Sequence, residues 1–188
     1  MVAMPTNDII SVGIDYSLTC PCMCFSTGVG FDKSSFYFLT DKKAHTGKLL
    51  NNVTGTLHDD YLCNQERYDN ISNYFITLIS ENVNEHIVIN IEDYSFGSKG
   101  KVFNLAENCG LLKHKLWGLG YKLTLIPPTT LKKFATTKGN ANKESMYQSF
   151  IAAGNPDINK TLFPTKSKID NPVSDIVDSY YLAIYPVS

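Results

Sequence analysis

Hydrophobic stretches separated by turn residues open the chain, and this pattern is typical of a meander of β-strands. Residues 9–17, 22–30 and 35–40 are apolar and rich in β-branched, aromatic or cysteine side chains. Pro21 lies in the first connection, and a cluster of Gly, Asp and Lys lies in the second. Apolar runs bounded by such turn residues predict strands. Because the connections are short, we expect three antiparallel neighbours.

The remainder of the chain alternates between helical and strand patterns. Residues 41–65 are polar, and we interpret them as a long loop. Helical spacing of apolar residues predicts helices around Tyr68 to Ile79, from residue 102 to Gly118 or Gly120, over 141–154 and over 175–185. Strands are predicted over 87–91 and 121–127, and a loop over 155–171. We therefore predict an α/β fold with a mixed five-stranded sheet, three antiparallel strands followed by parallel ones, helices on both faces, and one domain spanning residues 1–188.

Composition favours a chain that folds around its own core. With 188 residues, 43% of them hydrophobic, the chain suits one domain. Its apolar runs are too short to span a bilayer, and its first residues lack the basic and apolar regions of a secretory signal. We expect a soluble intracellular protein with no membrane association.

Three of the five cysteines alternate along the second predicted strand: Cys20, Cys22 and Cys24. An odd number of cysteines argues against a disulfide framework. The three sulfurs could in principle bind zinc, but zinc sites usually use CxxC pairs joined by a loop. We favour a buried strand face on which cysteine serves as a small hydrophobic residue.

Positive charge is concentrated in one part of a chain whose net charge is only −1. Residues 98–143 contain one acid, Glu107, and nine lysines: Lys99, Lys101, Lys113, Lys115, Lys122, Lys132, Lys133, Lys138 and Lys143. One basic face for a polyanion would explain this surplus, and solvated helix surface is the alternative.

Acidic residues occur where the predicted elements end. Asp15 closes the first strand, Glu92 closes the fourth, and Asp175 and Asp178 lie one turn apart on the last helix. Capping of that helix would explain Asp175 but not Asp178. If the first and fourth strands are parallel neighbours, their carboxyl ends meet. Carboxylates gathered in this way require protons or cations, and oxygen ligands favour Mg²⁺ or Mn²⁺.

Three segments, GIDYS, IEDYSFG and DIVDSYYLA, resemble the acidic set of the ribonuclease H-like nucleases, and within them the RuvC-type Holliday junction resolvases. The segment IPPTTLKKFATTKGNANKESM is similar to the basic region of these resolvases. The predicted order of elements agrees with that family over residues 9–185. The segments 41–65 and 155–171 depart from a compact resolvase. Abundant Lys and Asn beside a single Arg, Arg67, suggest a phage or viral member, which would act in the host cytoplasm.

The resemblance implies a nuclease that resolves four-way DNA junctions with paired nicks, using two Mg²⁺ ions for which Mn²⁺ can substitute. It implies four metal ligands, Asp15, Glu92, Asp175 and Asp178, with Asp15 as the bridging ligand. Lys143 would act at the scissile phosphate, although general attraction of the DNA backbone is the alternative. Predicted DNA contacts are Lys99, Lys101, Lys132, Lys133, Lys138, Tyr94 and Phe96; packing under the sheet edge is the alternative for the two aromatic residues.

Symmetric cutting of a junction requires two active sites, so the resemblance also implies a homodimer. The apolar helix over residues 101–117 is our candidate for the dimer surface. Two other functions stay open at this point. One is a related nuclease that cuts other branched DNA, flaps or RNA–DNA hybrids, and the other is a junction-binding protein without catalysis.

Overall fold

A seven-stranded mixed sheet forms the centre of the computed structural model, which describes residues 9–82, 87–93 and 102–186. The strands lie in the order β4-β5-β3-β2-β1-β6-β7. Their bounds are Ile10–Asp15 (β1), Cys22–Ser26 (β2), Ser34–Thr40 (β3), Gly47–Leu50 (β4), Val53–Leu57 (β5), Ile87–Glu92 (β6) and Leu123–Ile126 (β7). The strands β1, β2 and β3 are antiparallel neighbours, and β1, β6 and β7 are parallel, as predicted.

The predicted number of five strands is wrong, because β4 and β5 form a hairpin inside the segment that we interpreted as a loop. The hairpin is short and carries few apolar residues, so the sequence pattern is weak there. What holds β5 is long-range packing: it pairs in parallel with β3, and Gly55 lies directly against the Phe38 ring and the His45 carbonyl. A Cβ atom at residue 55 would overlap both groups.

Six helices complete the described structure. They are Asn64–Asn82 (α1), Val102–Gly118 (α2), Pro128–Thr136 (α3), Lys143–Ala152 (α4), Ile158–Leu162 (α5) and Val173–Ala183 (α6). Our sequence interpretation missed α3 and α5. The α3 helix has Pro128 at its first position, where the missing N–H costs nothing, so the two prolines begin a helix as well as end a strand.

Helices cover both faces of the sheet, as predicted. On one face, α1 and α2 pack on Val12, Ile14, Ile89 and Ile91. On the other, α3, α4 and α6 pack on a core that includes Phe36, Phe38 and the buried residues Cys20, Cys22 and Cys24. The prediction that these three cysteines fill a buried face is thereby confirmed. Side chains alternate along a strand, so Gly13, Asp15, Asn90 and Glu92 all belong to the face that α6 covers.

Two residues bring α6 close to the centre of the sheet. Gly13 has no side chain where the backbone of α6 crosses β1, and a Cβ atom there would overlap the Ser179 carbonyl oxygen and the Ala183 nitrogen. Asn90, fully buried on β6, donates from Nδ2 to the Leu182 carbonyl at 2.8 Å and to the Tyr185 carbonyl at 3.2 Å. The position of α6 is therefore set by both central parallel strands. Among the described residues, no helix is long and apolar enough to cross a membrane.

Candidate active site

The carboxylates of Asp15 and Glu92 lie at the same edge of the sheet. Asp15 is the last residue of β1, and Glu92 is the last residue of β6. The two strands pair in parallel, with Ile14 opposite Ile91, so the next residue of each strand is an acid. Two carboxylates on adjacent strands of one face repel each other unless protons or cations intervene.

The first turns of α6 bring Asp175 and Asp178 to the same place. Asp175 is only 6% exposed and Asp15 only 8%, whereas Glu92 and Asp178 are partly open to solvent. Asp175, Glu92 and Asp178 each act electrostatically on Asp15. The structure thus brings together all four acids that we singled out from the sequence.

Burial raises the pKa of every one of these acids, and repulsion from other carboxylates adds to it for Asp15, Glu92 and Asp175. The pKa of Asp15 is raised well above its ordinary value, first by burial and then by Asp175, Glu92 and Asp178. Burial and the Asp178 charge raise the pKa of Glu92 to about 8. Burial raises the pKa of Asp175 to about 7 and that of Asp178 to about 6. Without a cation, several of these groups therefore hold protons near neutral pH.

Two lysines oppose this repulsion from different helices. Lys143, at the start of α4, donates from Nζ to Asn171 Oδ1 at 2.9 Å and to Ser174 Oγ at 3.0 Å. Its charge lowers the pKa values of Asp175 and Asp178. These two hydrogen bonds fix the Lys143 ammonium group beside the acids, so its position is more specific than that of a lysine on the general surface.

Lys132, on α3, lowers the pKa values of Glu92 and Asp178. We had predicted this residue only as a phosphate contact. Lys133, the next residue, is exposed, and Lys138 is exposed in the loop after α3. These two lysines are available to a partner on the surface beside the acids.

Three uncharged residues of the site were missed by sequence reasoning. The buried Cys20 thiol lowers the pKa of Asp175, while Asn171 and Ser174 hold Lys143. Of these three residues, only Ser174 could have been connected with the site from the sequence, because it directly precedes Asp175. The other two come to the site through tertiary contacts that no local pattern encodes.

The donor set fits hard divalent cations. All four acids offer carboxylate oxygens, which Mg²⁺ and Mn²⁺ prefer. Asp175 Oδ2 is buried and has no hydrogen-bond partner among the described residues. Within residues 9–82, 87–93 and 102–186, no three His, Cys, Asp or Glu side chains already converge as a ready ligand set. In this structure the four acids are therefore electrostatic neighbours that do not form a ready coordination shell.

Four predicted DNA contacts, Tyr94, Phe96, Lys99 and Lys101, lie outside the described residues. Their roles stay predictions from the sequence.

The fold is that of the RuvC-like resolvases, with the ribonuclease H-like mixed sheet and helices on both faces. The Thermus thermophilus RuvC structure matches with a TM-score of 0.56 at 12% identity, over 94% of this chain and 92% of that chain. Thermus thermophilus RuvC in complex with a Holliday junction substrate matches with a TM-score of 0.58 at 12% identity, over 94% and 91%. The yeast mitochondrial Holliday junction resolvase Ydc2 matches with a TM-score of 0.53 at 16% identity, over 95% and 77%. No protein-family model and no curated protein sequence matches the chain.

Proposed function

We propose that this protein is a divalent-metal-dependent endonuclease that resolves four-way DNA junctions by paired nicks. The observation that carries the proposal is the gathering of Asp15, Glu92, Asp175 and Asp178 from three elements at one edge of the sheet. A protein that only binds DNA gains nothing from buried acids that repel phosphates. The likeness in fold to RuvC, one structure of which holds a Holliday junction substrate, supports a junction as the substrate.

In this proposal the four carboxylates would hold two Mg²⁺ ions, for which Mn²⁺ could substitute. The ions would supply an activated water and charge stabilisation for the leaving 3′ oxygen. Asp15 extends from a buried central strand and cannot shift easily, which suits a ligand shared by both ions. Asp175 and Asp178 depend on the contact of α6 with Gly13 and Asn90.

Lys143 lies within electrostatic reach of three of the acids and is held by Asn171 and Ser174. We assign it the scissile phosphate, whose charge it can neutralise without displacing a carboxylate. Lys132, beside Glu92 and Asp178, would face the same phosphate from α3. Lys133 and Lys138 would contact neighbouring phosphates, which makes the affinity dependent on salt.

A homodimer is the assembly that we propose, because paired nicks in a two-fold symmetric junction need two active sites. The α2 helix offers a surface for the second copy. Phe103 is 78% exposed and Trp117 is 72% exposed, and their spacing puts them on the same side of the helix. Sedimentation of Phe103→Ser and Trp117→Ser variants should show dissociation where the wild type is dimeric.

The experiment that tests the proposal compares substrates. A synthetic four-way junction, a flap, an RNA–DNA hybrid and a linear duplex are incubated with the protein in Mg²⁺ or Mn²⁺. We expect the junction to be cut preferentially, with symmetric nicks. Equal cutting of every substrate would defeat the junction assignment and favour a less selective nuclease of this fold.

A variant pair then tests the site. Asp15→Asn should abolish cleavage but leave junction binding in Ca²⁺ or EDTA intact or tighter, because a repulsive charge is removed. The matched control is Asp32→Asn, an exposed acid in the turn between β2 and β3, at the opposite edge of the sheet. Cleavage that survives in Asp15→Asn would show that the catalytic site lies elsewhere.

A further inference from the structure

A second basic surface lies next to the candidate active site, on the side away from α3. It is formed by residues 41–48, which lead into the β4–β5 hairpin, and by residues 163–170, which precede α6. These segments contain two acids, Asp41 and Asp170, and five lysines: Lys42, Lys43, Lys48, Lys166 and Lys168. All five lysines are exposed. We call this the hairpin-side surface.

A contact between two aromatic rings joins the two segments into one surface. The buried His45 ring packs on the Phe163 ring with centroids 4.8 Å apart. Lys166 Nζ lies 4.2 Å from the centroid of the same Phe163 ring. The insertion and the loop before α6 therefore present their lysines together, although more than 100 residues separate them in the sequence.

Asp170 connects this surface to the candidate active site. Its carboxylate accepts the Asn171 N–H at 3.1 Å and lies 3.7 Å from Lys143 Nζ, and Lys168 and Lys42 also act on it. The acid in the middle of the surface is thus already surrounded by cations. Next to it is a cavity of about 230 Å³, lined by Thr19, Cys20, Thr40, Lys42, His45 and others. Cys20, which lines this cavity, also lowers the pKa of Asp175, so one wall of the cavity is close to one of the four acids.

The sheet topology places this surface in line with the acids. The strands β3, β1, β6 and β7 all run in the same direction, so their carboxyl ends share one edge. Along that edge the order is Lys42 after β3, Asp15 on β1 and Glu92 on β6, and α3, whose Lys132 acts on Glu92, follows β7 in the chain. Two strand spacings, or roughly 10 Å, separate β3 from β1. That distance corresponds to about three nucleotides at 3.4 Å per step.

We propose that the hairpin-side surface binds the phosphates of the DNA strand a few nucleotides from the cut, on the side opposite α3. The acids would then lie between two basic regions, each contacting the backbone on one side of the scissile phosphate. This inference rests on the proposed function, because it takes branched DNA as the partner. It gives the 41–65 insertion a role in positioning the substrate arm. The exposed lysines of this surface match the regularly repeated charges of a phosphate backbone. Asp41 and Asp170 keep the net charge of the surface modest, so an acidic peptide is the less suitable partner.

The test combines a double variant with neutralised DNA. Lys42→Ala/Lys168→Ala removes two exposed side chains and should leave the unfolding temperature unchanged. Junctions carrying uncharged methylphosphonate linkages at successive positions from the branch point are bound in EDTA. For the wild type, we expect neutralisation of a small set of positions to weaken binding. For the double variant, we expect neutralisation of these same positions to have no effect, while other positions behave as in the wild type. The slope of log affinity against log salt should fall in magnitude by about 2 for the double variant.

Lys33→Ala is the matched control, since Lys33 is an exposed lysine in the turn at the opposite edge of the sheet. It should behave as the wild type. A double variant with wild-type affinity and salt slope, or one equally sensitive at every neutralised position, overturns the inference. Wild-type binding in EDTA that follows the predicted pattern, together with no cleavage when Mg²⁺ or Mn²⁺ is supplied, would instead defeat the proposed nuclease while supporting the surface. Wild-type protein that binds no DNA would overturn both.

Discussion

Gly13→Ala should separate α6 from β1 and thereby damage both the fold and the candidate site. Non-bonded heavy atoms pack at about 3.5–4.0 Å. A Cβ atom at residue 13 would lie 2.9 Å from the Ala183 Cα atom, and closer still to the Ser179 carbonyl oxygen and the Ala183 nitrogen. Backbone atoms cannot rotate out of the way, so α6 must retreat by at least about 0.6 Å. That shift also strains the hydrogen bond from Asn90 to the Leu182 carbonyl.

Overpacking of a core typically costs about 1–3 kcal/mol, and a clash with backbone belongs at the upper end. For a chain of this size, about 3 kcal/mol corresponds to a melting temperature lower by roughly 6–12 °C. Cleavage should fall by roughly 100-fold, because Asp175 and Asp178 move relative to Asp15. Thermal unfolding and single-turnover cleavage of a junction measure the two effects.

The control is Gly28→Ala, at an exposed position where an added Cβ meets nothing within 4 Å. Its stability should stay within about 0.5 kcal/mol of the wild type. A Gly13→Ala protein with the melting temperature and cleavage rate of the wild type would refute the claim that this close contact positions the acids.

Three further predictions concern the charges and the anchor of α6. The pKa of Asp178 is raised to about 6, so without metal, in EDTA, the folded state binds the Asp178 proton more tightly than the unfolded state does. The stability that this proton contributes is therefore present below about pH 4 and is lost as the pH rises through 6. Asp178→Asn should therefore unfold at a higher temperature than the wild type at pH 8 in EDTA, and a variant that is equally stable or less stable there would contradict this. Lys132→Met should move the acidic limb of the cleavage pH profile to higher pH, because Glu92 and Asp178 lose a positive charge that lowers their pKa values. Lys133 is exposed, so Lys133→Met should leave that limb in place. Asn90→Ala should lower the free energy of unfolding by about 1–3 kcal/mol in chemical denaturation, because two carbonyls at the end of α6 lose their donor, and an unchanged value would show that other contacts suffice.

Sequence reasoning succeeded where one local pattern sufficed. The short connections between the first three strands predicted their antiparallel order, and the acids at the ends of β1 and β6 were visible because charge interrupts apolar runs. The spacing of Asp175 and Asp178 on a helix followed from its period. The meeting of Asp15 and Glu92 needed the assumption that β1 and β6 are parallel neighbours, which they are, and the arrival of Asp175 and Asp178 needed the further assumption that the last helix lies over them.

The rest depended on contacts between distant segments. The β4–β5 hairpin is held by pairing of β5 with β3 and by the close approach of Gly55 to Phe38 and His45, as well as by the buried Val53. Cys20 acts on Asp175 from about 150 residues away in the sequence, and neither residue type indicates that partner. Lys132 was underrated for a related reason: whether a lysine faces acids or solvent depends on how its helix is oriented, and α3 itself was not predicted.

Locating Mn²⁺ by anomalous scattering in crystals of the protein tests the central claim most directly. The four carboxylates should close around the ions, giving anomalous peaks bounded by Asp15, Glu92, Asp175 and Asp178, and Asp15→Asn should remove or weaken those peaks. Peaks at other positions only, or none at this edge of the sheet at saturating Mn²⁺, would contradict the account.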